Sequence, residues 1–333
     1  MDYGNNVMIS GLFNSVKFIS DMLVAYGFES KHVDVFDGNS IDREAYNYKP
    51  THLFLDALWV TPEKLIEVTK LHPKVKWYVR IHSELPFIAL EGIAMQWLFD
   101  YIDIPAPIHL TANSQRIGGS LSKLLKVPVP YLPNYYPIGY APAYHRDNHK
   151  PFIDIACFGA VRQLKNQFTQ AIAAMQFAEG IGKRLRFHMN SSRQEGSHAL
   201  TILKNLRYLF DNKPEHELIE HGWLERPDFV KLMQTMDLSM QVTFSETFNI
   251  VSADAVANHI PVVVSPEVQW VSGRYKASPT SVEDIVDVMH IAWFDSRYGL
   301  HNMNILLLMW SNYNSVGLWT KFLMTHTHHT HHK

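Results

Sequence analysis

The sequence predicts an α/β chain built from two doubly wound domains. Three observations carry this expectation. Short apolar runs alternate with helix-periodic segments through the first half of the chain. A proline-rich break, "VPVPYLPNYYPIGYAPAY", then interrupts the alternation from Val127 to Tyr144. Beyond the polar stretch "HRDNHKP" the same alternation restarts. Strand–helix alternation implies parallel sheets covered on both faces. Two such domains facing each other leave a cleft, and in these folds the strand ends supply the ligand site.

The elements follow in order. "NNVMIS" reads as a strand ending at Gly11. A helix follows, on which Leu12, Val16, Ile19, Leu23 and Tyr26 form one apolar stripe until Gly27 ends it. "HVDVF", "THLFLDAL", "KWYVRIH" and "IHLTAN" read as further strands, with "PEKLIEVTKL" and "FIALEGIAMQWLFDYI" as helices between them. After the break, "FIDIACFG", "LRFHMN", "HELIEHG", "LSMQVT" and the run from Pro261 to Ser265 read as strands. A helix from about Leu164 to Glu179, "HALTILKNLRYLF" and "PDFVKLMQTM" lie between them, and "NILLLMWSNYNSVGLWTKFLM" reads as a final apolar helix. The first domain is placed over 1–140 and the second over 150–305, with the closing helix over 306–325. The His-rich tail over 326–333 reads as a disordered end or an appended tag, with only weak metal affinity as the alternative.

Composition narrows the function. Thirty Lys and Arg face 32 Asp and Glu, so no strongly basic field advertises nucleic acid. The single cysteine, Cys157, excludes a disulfide framework within the chain and fits a reducing compartment. The N-terminus lacks the basic and apolar regions of a signal peptide, and the apolar run Ile305 to Trp310 is far too short to span a bilayer. The expectation is a cytoplasmic protein.

Two stretches carry chemistry. In "FGAVRQLKNQ", Gly159 ends a strand and is followed by Arg162, Lys165 and a helix start, an arrangement suited to phosphate. A solvated pair of charges is the alternative reading. In "SETFNIVSADAVANHIPVVVS", Glu246 precedes a helix and Asp254 lies within it, with the backbone N–H groups of Asn249, Ile250 and Val251 between them. Carboxylates suit vicinal hydroxyls and a helix start suits phosphate, whereas plain helix-entry and surface charges are the alternative. Neither a GxxxxGK[ST] loop nor a dinucleotide fingerprint is present, since "SGLFNS" lacks the later glycines. Asn190, after "LRFHM", and Gly11 sit at further strand ends. His82, in "YVRIHSELPF", follows a strand of the first domain.

Taken in order, these motifs resemble the retaining nucleotide-sugar glycosyltransferases with two Rossmann-like domains (the GT-B type), and especially glycosyltransferase family 4. That family has a glycine and a basic pair after one strand, then "E-x7-E" after a serine. "ANHIPVVVS" is similar to its "A-x-G-x-P-V-V-x-S", and "LTANSQRIGGSLSKLLKVPVPYLPNYY" to its approach to the linker. The resemblance covers about residues 108–280. Asp254 stands where the family has glutamate, and "HMNSSR" replaces a "G-x-G".

The resemblance implies a retaining transfer of a sugar from a nucleotide sugar, with neither cofactor nor metal. It assigns catalysis to His82, Arg162, Lys165 and Glu246. Donor binding falls to Gly11, Asn190, Asn249, Ile250, Val251 and Asp254, with Asp254 on the ribose. It returns the C-terminal helix to the first domain. Polysaccharide, lipid, protein or a modified nucleic-acid base all stay open as acceptors, and the oligomeric state is not read. A catalytically silent nucleotide-sugar-binding subunit and a sugar-nucleotide epimerase stay open as alternatives.

Overall fold

The computed structural model describes residues 4–11, 14–34, 37–56, 60–105 and 108–328. Two compact units emerge, one of residues 1–137 with 311–333 and one of residues 138–310.

The first unit runs β1 (Asn6–Ser10), α1 (Asn14–Ala25), β2 (Glu29–Val33), α2 (Gly38–Tyr48), β3 (His52–Asp56), α3 (Pro62–Leu71) and β4 (Lys76–Ile81). It continues with α4 (Leu85–Ile88), α5 (Ala94–Ile102), β5 (His109–Ala112) and α6 (Gln115–Leu125). The five strands are parallel in the order β2-β1-β3-β4-β5. The strand period of two divides their side chains between two cores. Met8, Leu53, Leu55, Val79 and Ile81 join Leu65, Leu98, Ile117 and Leu121 on one face. Val7, Ile9, Phe54 and Tyr78 join Val16, Ile19 and Leu23 on the other.

The second unit runs β6 (Phe152–Ala156), α7 (Gln167–Gly180), β7 (Arg184–Asn190), α8 (Ala199–Asp211), β8 (Glu217–His221), α9 (Arg226–Met233) and β9 (Leu238–Gln241). It ends with α10 (Ile250–Ala257), β10 (Val262–Val264) and α11 (Val282–Ser296), and the long helix α12 (Met303–His328) closes the chain. These strands too are parallel, in the order β10-β9-β6-β7-β8. The chain steps outward from β6 to β8 and then restarts on the other side of β6. The order therefore reverses between β6 and β9, where such sheets bind ligands at their carboxyl ends.

Several sequence expectations are corrected. "FIALEGIAMQWLFDYI" forms two helices, α4 and α5, because the turn around Gly92 breaks it. The second strand is Glu29–Val33 rather than "HVDVF". It is an edge strand with exposed polar positions, so its apolar pattern is weak, and Val35 and Phe36 lie outside the described residues. On α1, Val16, Ile19 and Leu23 are buried, Tyr26 lies past the helix end and is half exposed, and Leu12 lies outside the described residues. The segment before α7 is a separate 3-10 turn, Gln163–Lys165, set off by Asn166 in the left-handed region at φ 60°. Helix α12 starts at Met303 and runs into the His-rich stretch as far as His328, and residues 329–333 lie outside the described ones. No described helix is long and apolar enough to cross a membrane.

The C-terminal half of α12 belongs to the first unit. Trp319, Phe322 and Leu323 pack on Phe54 and Tyr78, and the Trp319 indole N–H donates to the Pro133 carbonyl at 2.8 Å. Arg80, fully buried on this face, donates to Asp56 (2.7 Å), the Leu132 carbonyl (2.9 Å) and Asn134 (2.5 Å). One guanidinium thus ties β3 and β4 to the proline-rich segment, beneath the Trp319 ring. Trp319→Ala should lower unfolding stability by about 3–5 kcal/mol, because it removes a fully buried indole and orphans a carbonyl. Urea unfolding measures this, and a loss below about 1 kcal/mol would show that the helix docks without that side chain.

Candidate functional site

The reversal point of the second sheet gathers two loops. The first leaves β6 through Cys157, Phe158 and Gly159. Gly159 has φ +123°, a conformation that side chains rarely adopt, and a Cβ there would lie 3.6 Å from Lys165 Cε. Its N–H donates to Asn190 Oδ1 at 2.9 Å, so Asn190 shapes the turn from the end of β7. The second loop leaves β9 and carries Glu246 to the start of α10. Lys165 Nζ and Glu246 Oε1 form an ion pair across the two loops, and both side chains are mostly buried.

Buried amide side chains hold the loops in place. Gln170 of α7 accepts the Val242 N–H (2.8 Å) and donates to the carbonyls of Lys165 (2.9 Å) and Asn166 (3.2 Å). Asn166 donates to the carbonyls of Val242 (3.0 Å) and Pro279 (2.8 Å). Gln241 donates to the Phe158 carbonyl (2.7 Å) and accepts from Asn249 Nδ2 (2.9 Å). The Phe244 N–H donates to the Leu164 carbonyl at 2.9 Å. All but the Asn249–Gln241 bond satisfy a backbone group, and together they fix where Lys165 and Glu246 meet.

The start of α10 is built by Asn249. It sits in the left-handed region at φ 59°, and its Oδ1 accepts the Ser252 N–H at 2.8 Å. Phe248 stacks near Trp270, whose N–H donates to the Phe248 carbonyl at 2.7 Å. Ile250 and Val251 follow, both partly exposed.

The remaining expected residues fall as follows. Arg162 lies beside the turn, with its Nη1 3.4 Å from Glu195 Oε2, and Glu195 also meets Arg193 at 2.9 Å. The Val161 backbone pairs with this same loop after β7. Asp254 is not an open carboxylate. Its side chain is 4% exposed, and Oδ1 accepts from Arg226 Nη2 at 2.8 Å. Gly11 and His82 belong to the first unit, near the reversal point of its own sheet. A Cβ on Gly11 would come within 2.8 Å of Val16 and 3.2 Å of Asp56 Cβ, so glycine allows this close approach. His82 Nε2 lies 3.5 Å from Asp56 Oδ2. Cys157 is buried, and burial pushes its thiol up to about 12 against the opposing pull of Lys165, which keeps it protonated.

Sequence reasoning missed Asn166, Gln170, Gln241, Asp56, Arg80 and Arg226. A signal existed for some of them. Gln241 stands in "LSMQVT", Arg80 in "YVRIH" and Asp56 in "LFLDAL", each a polar group inside an otherwise apolar strand. Among the described residues, Glu179, Glu215 and His216 lie close enough to share a metal ion. However, His216 Nδ1 accepts the Leu185 N–H, so the proton sits on Nε2, which donates to Glu179 at 3.0 Å. Lys213 bridges both carboxylates. This trio is already closed as an ion-pair network.

Neither a family model nor a curated protein matches the sequence. Solved structures share its fold. A crystal structure of TarM aligns at TM-score 0.59 and 12% identity, covering 82% of this chain and 54% of that one, so the chain spans about half that length. Sucrose-phosphate synthase from Thermosynechococcus elongatus aligns at 0.71 and 12% identity over 98% of this chain and 100% of that one. The pneumococcal O-GlcNAc transferase GtfA, solved with UDP and GlcNAc, aligns at 0.55 and 11% over 85% and 58%. The chain thus has the two-domain α/β fold of these GT-B structures, with two five-stranded parallel sheets.

Gln170→Ala tests the scaffold. It orphans a buried N–H and uncaps two carbonyls, so stability should fall by about 2–5 kcal/mol. Chemical denaturation reads the change, and a loss under about 1 kcal/mol would mean that the loops are held by other bonds.

Proposed function

We propose that this chain is a glycosyltransferase that moves a sugar from a nucleotide-sugar donor to an acceptor, with retention at the anomeric carbon. The observation that carries the reading is the Lys165–Glu246 ion pair at the reversal point of the second sheet, beside the Gly159 turn and the start of α10. The GT-B fold supports it, since structures of that fold at this likeness include GtfA with UDP and GlcNAc bound.

In this reading the pair separates when the donor binds. Lys165 turns to the diphosphate and Glu246 accepts hydrogen bonds from the sugar hydroxyls. Arg162 and the N–H groups of Asn249, Ile250 and Val251 add positive charge around the phosphates. As the bond from the anomeric carbon to the diphosphate oxygen breaks, negative charge grows on the leaving group. Preorganised donors there are worth about 3–4 kcal/mol each. The acceptor hydroxyl attacks from the leaving-group face, its oxygen bonds the anomeric carbon, and its proton passes to a diphosphate oxygen. No protein nucleophile takes part, which suits a cysteine held protonated. Arg162 and Lys165 supply the charge in this reading, so it draws on no metal. The ribose falls to Asp254 together with Arg226, because Asp254 is already engaged by that guanidinium.

Glu246→Gln keeps the shape and removes the charge, so it should cut turnover about 100-fold or more while changing nucleoside diphosphate affinity less than about threefold. Lys165→Ala should weaken both. Asp254→Asn should weaken nucleotide binding whichever sugar is carried. Titration calorimetry with UDP and other nucleoside diphosphates, alongside release of free nucleotide with sugar appearing on an acceptor, separates these effects. Donor binding with no transfer to any acceptor would instead favour a silent binding subunit. Unchanged turnover in both Glu246→Gln and Lys165→Ala would sink the site assignment.

A further inference from the structure

A second charged site lies at the opposite ends of the same sheet's strands. A cavity of about 580 Å³ is lined by Arg146, Lys183, Arg297 and His290, with Trp293 and Phe294 beside them. These groups come from the segment before β6, the turn before β7 and the last turns of α11. They stand at the N-terminal ends of β6 and β7, whereas Lys165 and Glu246 follow the C-terminal ends of β6 and β9.

The charge here is unbalanced. Elsewhere in the unit Lys150, Arg186, Arg207, Lys213 and Arg274 each meet a carboxylate. Among the described residues, Arg146, Lys183 and Arg297 meet none, and their printed partners are carbonyls, a hydroxyl and an amide. Asp237 acts on Arg146 through its charge, but it is held by Lys150 at 2.7 Å and by the Asp154 N–H at 2.8 Å. Burial, and then the charge of Arg297, push the Arg146 guanidinium below its ordinary value against the pull of Tyr144 and Asp237.

Helix capping explains part of this arrangement. Arg146 Nη1 donates to the Trp293 carbonyl and to Ser296 Oγ (3.0 Å), and its Nε donates to Asn148 (2.7 Å). Lys183 Nζ donates to the carbonyls of Asn148 (3.2 Å) and Lys150 (2.5 Å). Cations suit helix C-terminal ends. A cap does not use the remaining donors, however. Arg146 Nη2 and the whole Arg297 guanidinium donate to no described residue. Arg146 also lies over the Trp293 ring with its central carbon 3.6 Å from the centroid, which fixes the plane of its fork.

We propose that this pocket binds a small phosphate-bearing molecule, with the phosphate held by Arg146, Lys183 and Arg297 and the body of the ligand against Phe294. The Arg297 guanidinium, Arg146 Nη2 and the remaining Lys183 proton offer charged donors to phosphate oxygens. Phe294, 54% exposed and in edge contact with Tyr298, lines the pocket beside them. The volume lies within the usual range for small-ligand sites.

Calorimetric titration of the full chain with AMP, inorganic phosphate and adenosine tests this. AMP and phosphate should bind and adenosine should not. Arg297→Ala should weaken AMP about tenfold or more, in line with the loss of a charged bidentate contact. Lys165→Ala, at the other end of the strands, should change AMP affinity less than about twofold. Arg297 is exposed and caps nothing through its side chain, so its variant keeps the fold, which circular dichroism checks. Arg146→Ala serves as the second variant and should weaken AMP similarly. No binding by AMP or phosphate, or equal AMP affinity in parent and Arg297→Ala, leaves these cations as structural or solvated charges only and overturns the proposal. Loss of AMP binding in Lys165→Ala alone also overturns it, by assigning the nucleotide to the first site. A single-stranded DNA of about 12 nucleotides that binds more tightly than AMP and weakens in Arg297→Ala replaces the small molecule with a nucleic-acid surface.

Discussion

Both sheets are parallel and covered by helices, so a chain leaving the C-terminal end of an inner strand enters surroundings with little water to bond it. Its N–H and carbonyl groups must find partners within the protein. In the second unit, Asn166, Gln170 and Gln241 provide them, spanning the loops after β6 and β9 and the start of α7. An amide side chain offers both a donor and an acceptor, so one residue can close two loops at once. The position of Lys165 opposite Glu246 follows from these closures, because neither residue sits in a regular strand or α-helix.

The same constraint is met differently in the first unit. There Arg80 supplies the donors for the carbonyl of Leu132 and the side chain of Asn134, and Asp56 balances its charge. Burying a guanidinium is costly unless it is both paired and hydrogen-bonded, and Arg80 meets both conditions while lying beneath Trp319. Asn134, the asparagine of "PN", also accepts from Asn113 and offers its carbonyl to Ser315 of α12. The proline-rich segment is therefore not a loose tether at this point. It is fastened to the first sheet and to the last helix by the same few polar groups.

The charge pairs of the second unit divide by what they leave available. Lys165 with Glu246 is a mostly buried pair that joins the loops after β6 and β9. Arg226 with Asp254 joins the first turn of α9 to α10, with the carboxylate almost fully buried. Asp254, where the resemblance leads one to expect glutamate, is thus a carboxylate drawn into an ion pair. At the N-terminal ends of the strands, Arg146 and Arg297 meet no carboxylate among the described residues, unlike Lys150, Arg186 and Arg274 of the same unit.

The sequence by itself determined the α/β class, the break between two alternating halves and the loops that carry Gly159, Arg162, Lys165 and Glu246. These are local signals, since apolar periodicity and turn residues act over a few positions. It misjudged the helix around Gly92 and the start of α7, where one glycine and one left-handed asparagine override the periodicity. Only the tertiary structure decided that Asn190 shapes the Gly159 turn, that Asp254 pairs with Arg226, and that Gln170 and Gln241 hold the loops around Lys165 and Glu246. Those partners lie 28 to 83 residues apart in the chain. A hydrogen bond between residues so distant is set by which strands become neighbours in the sheet, and no local pattern of residues encodes it.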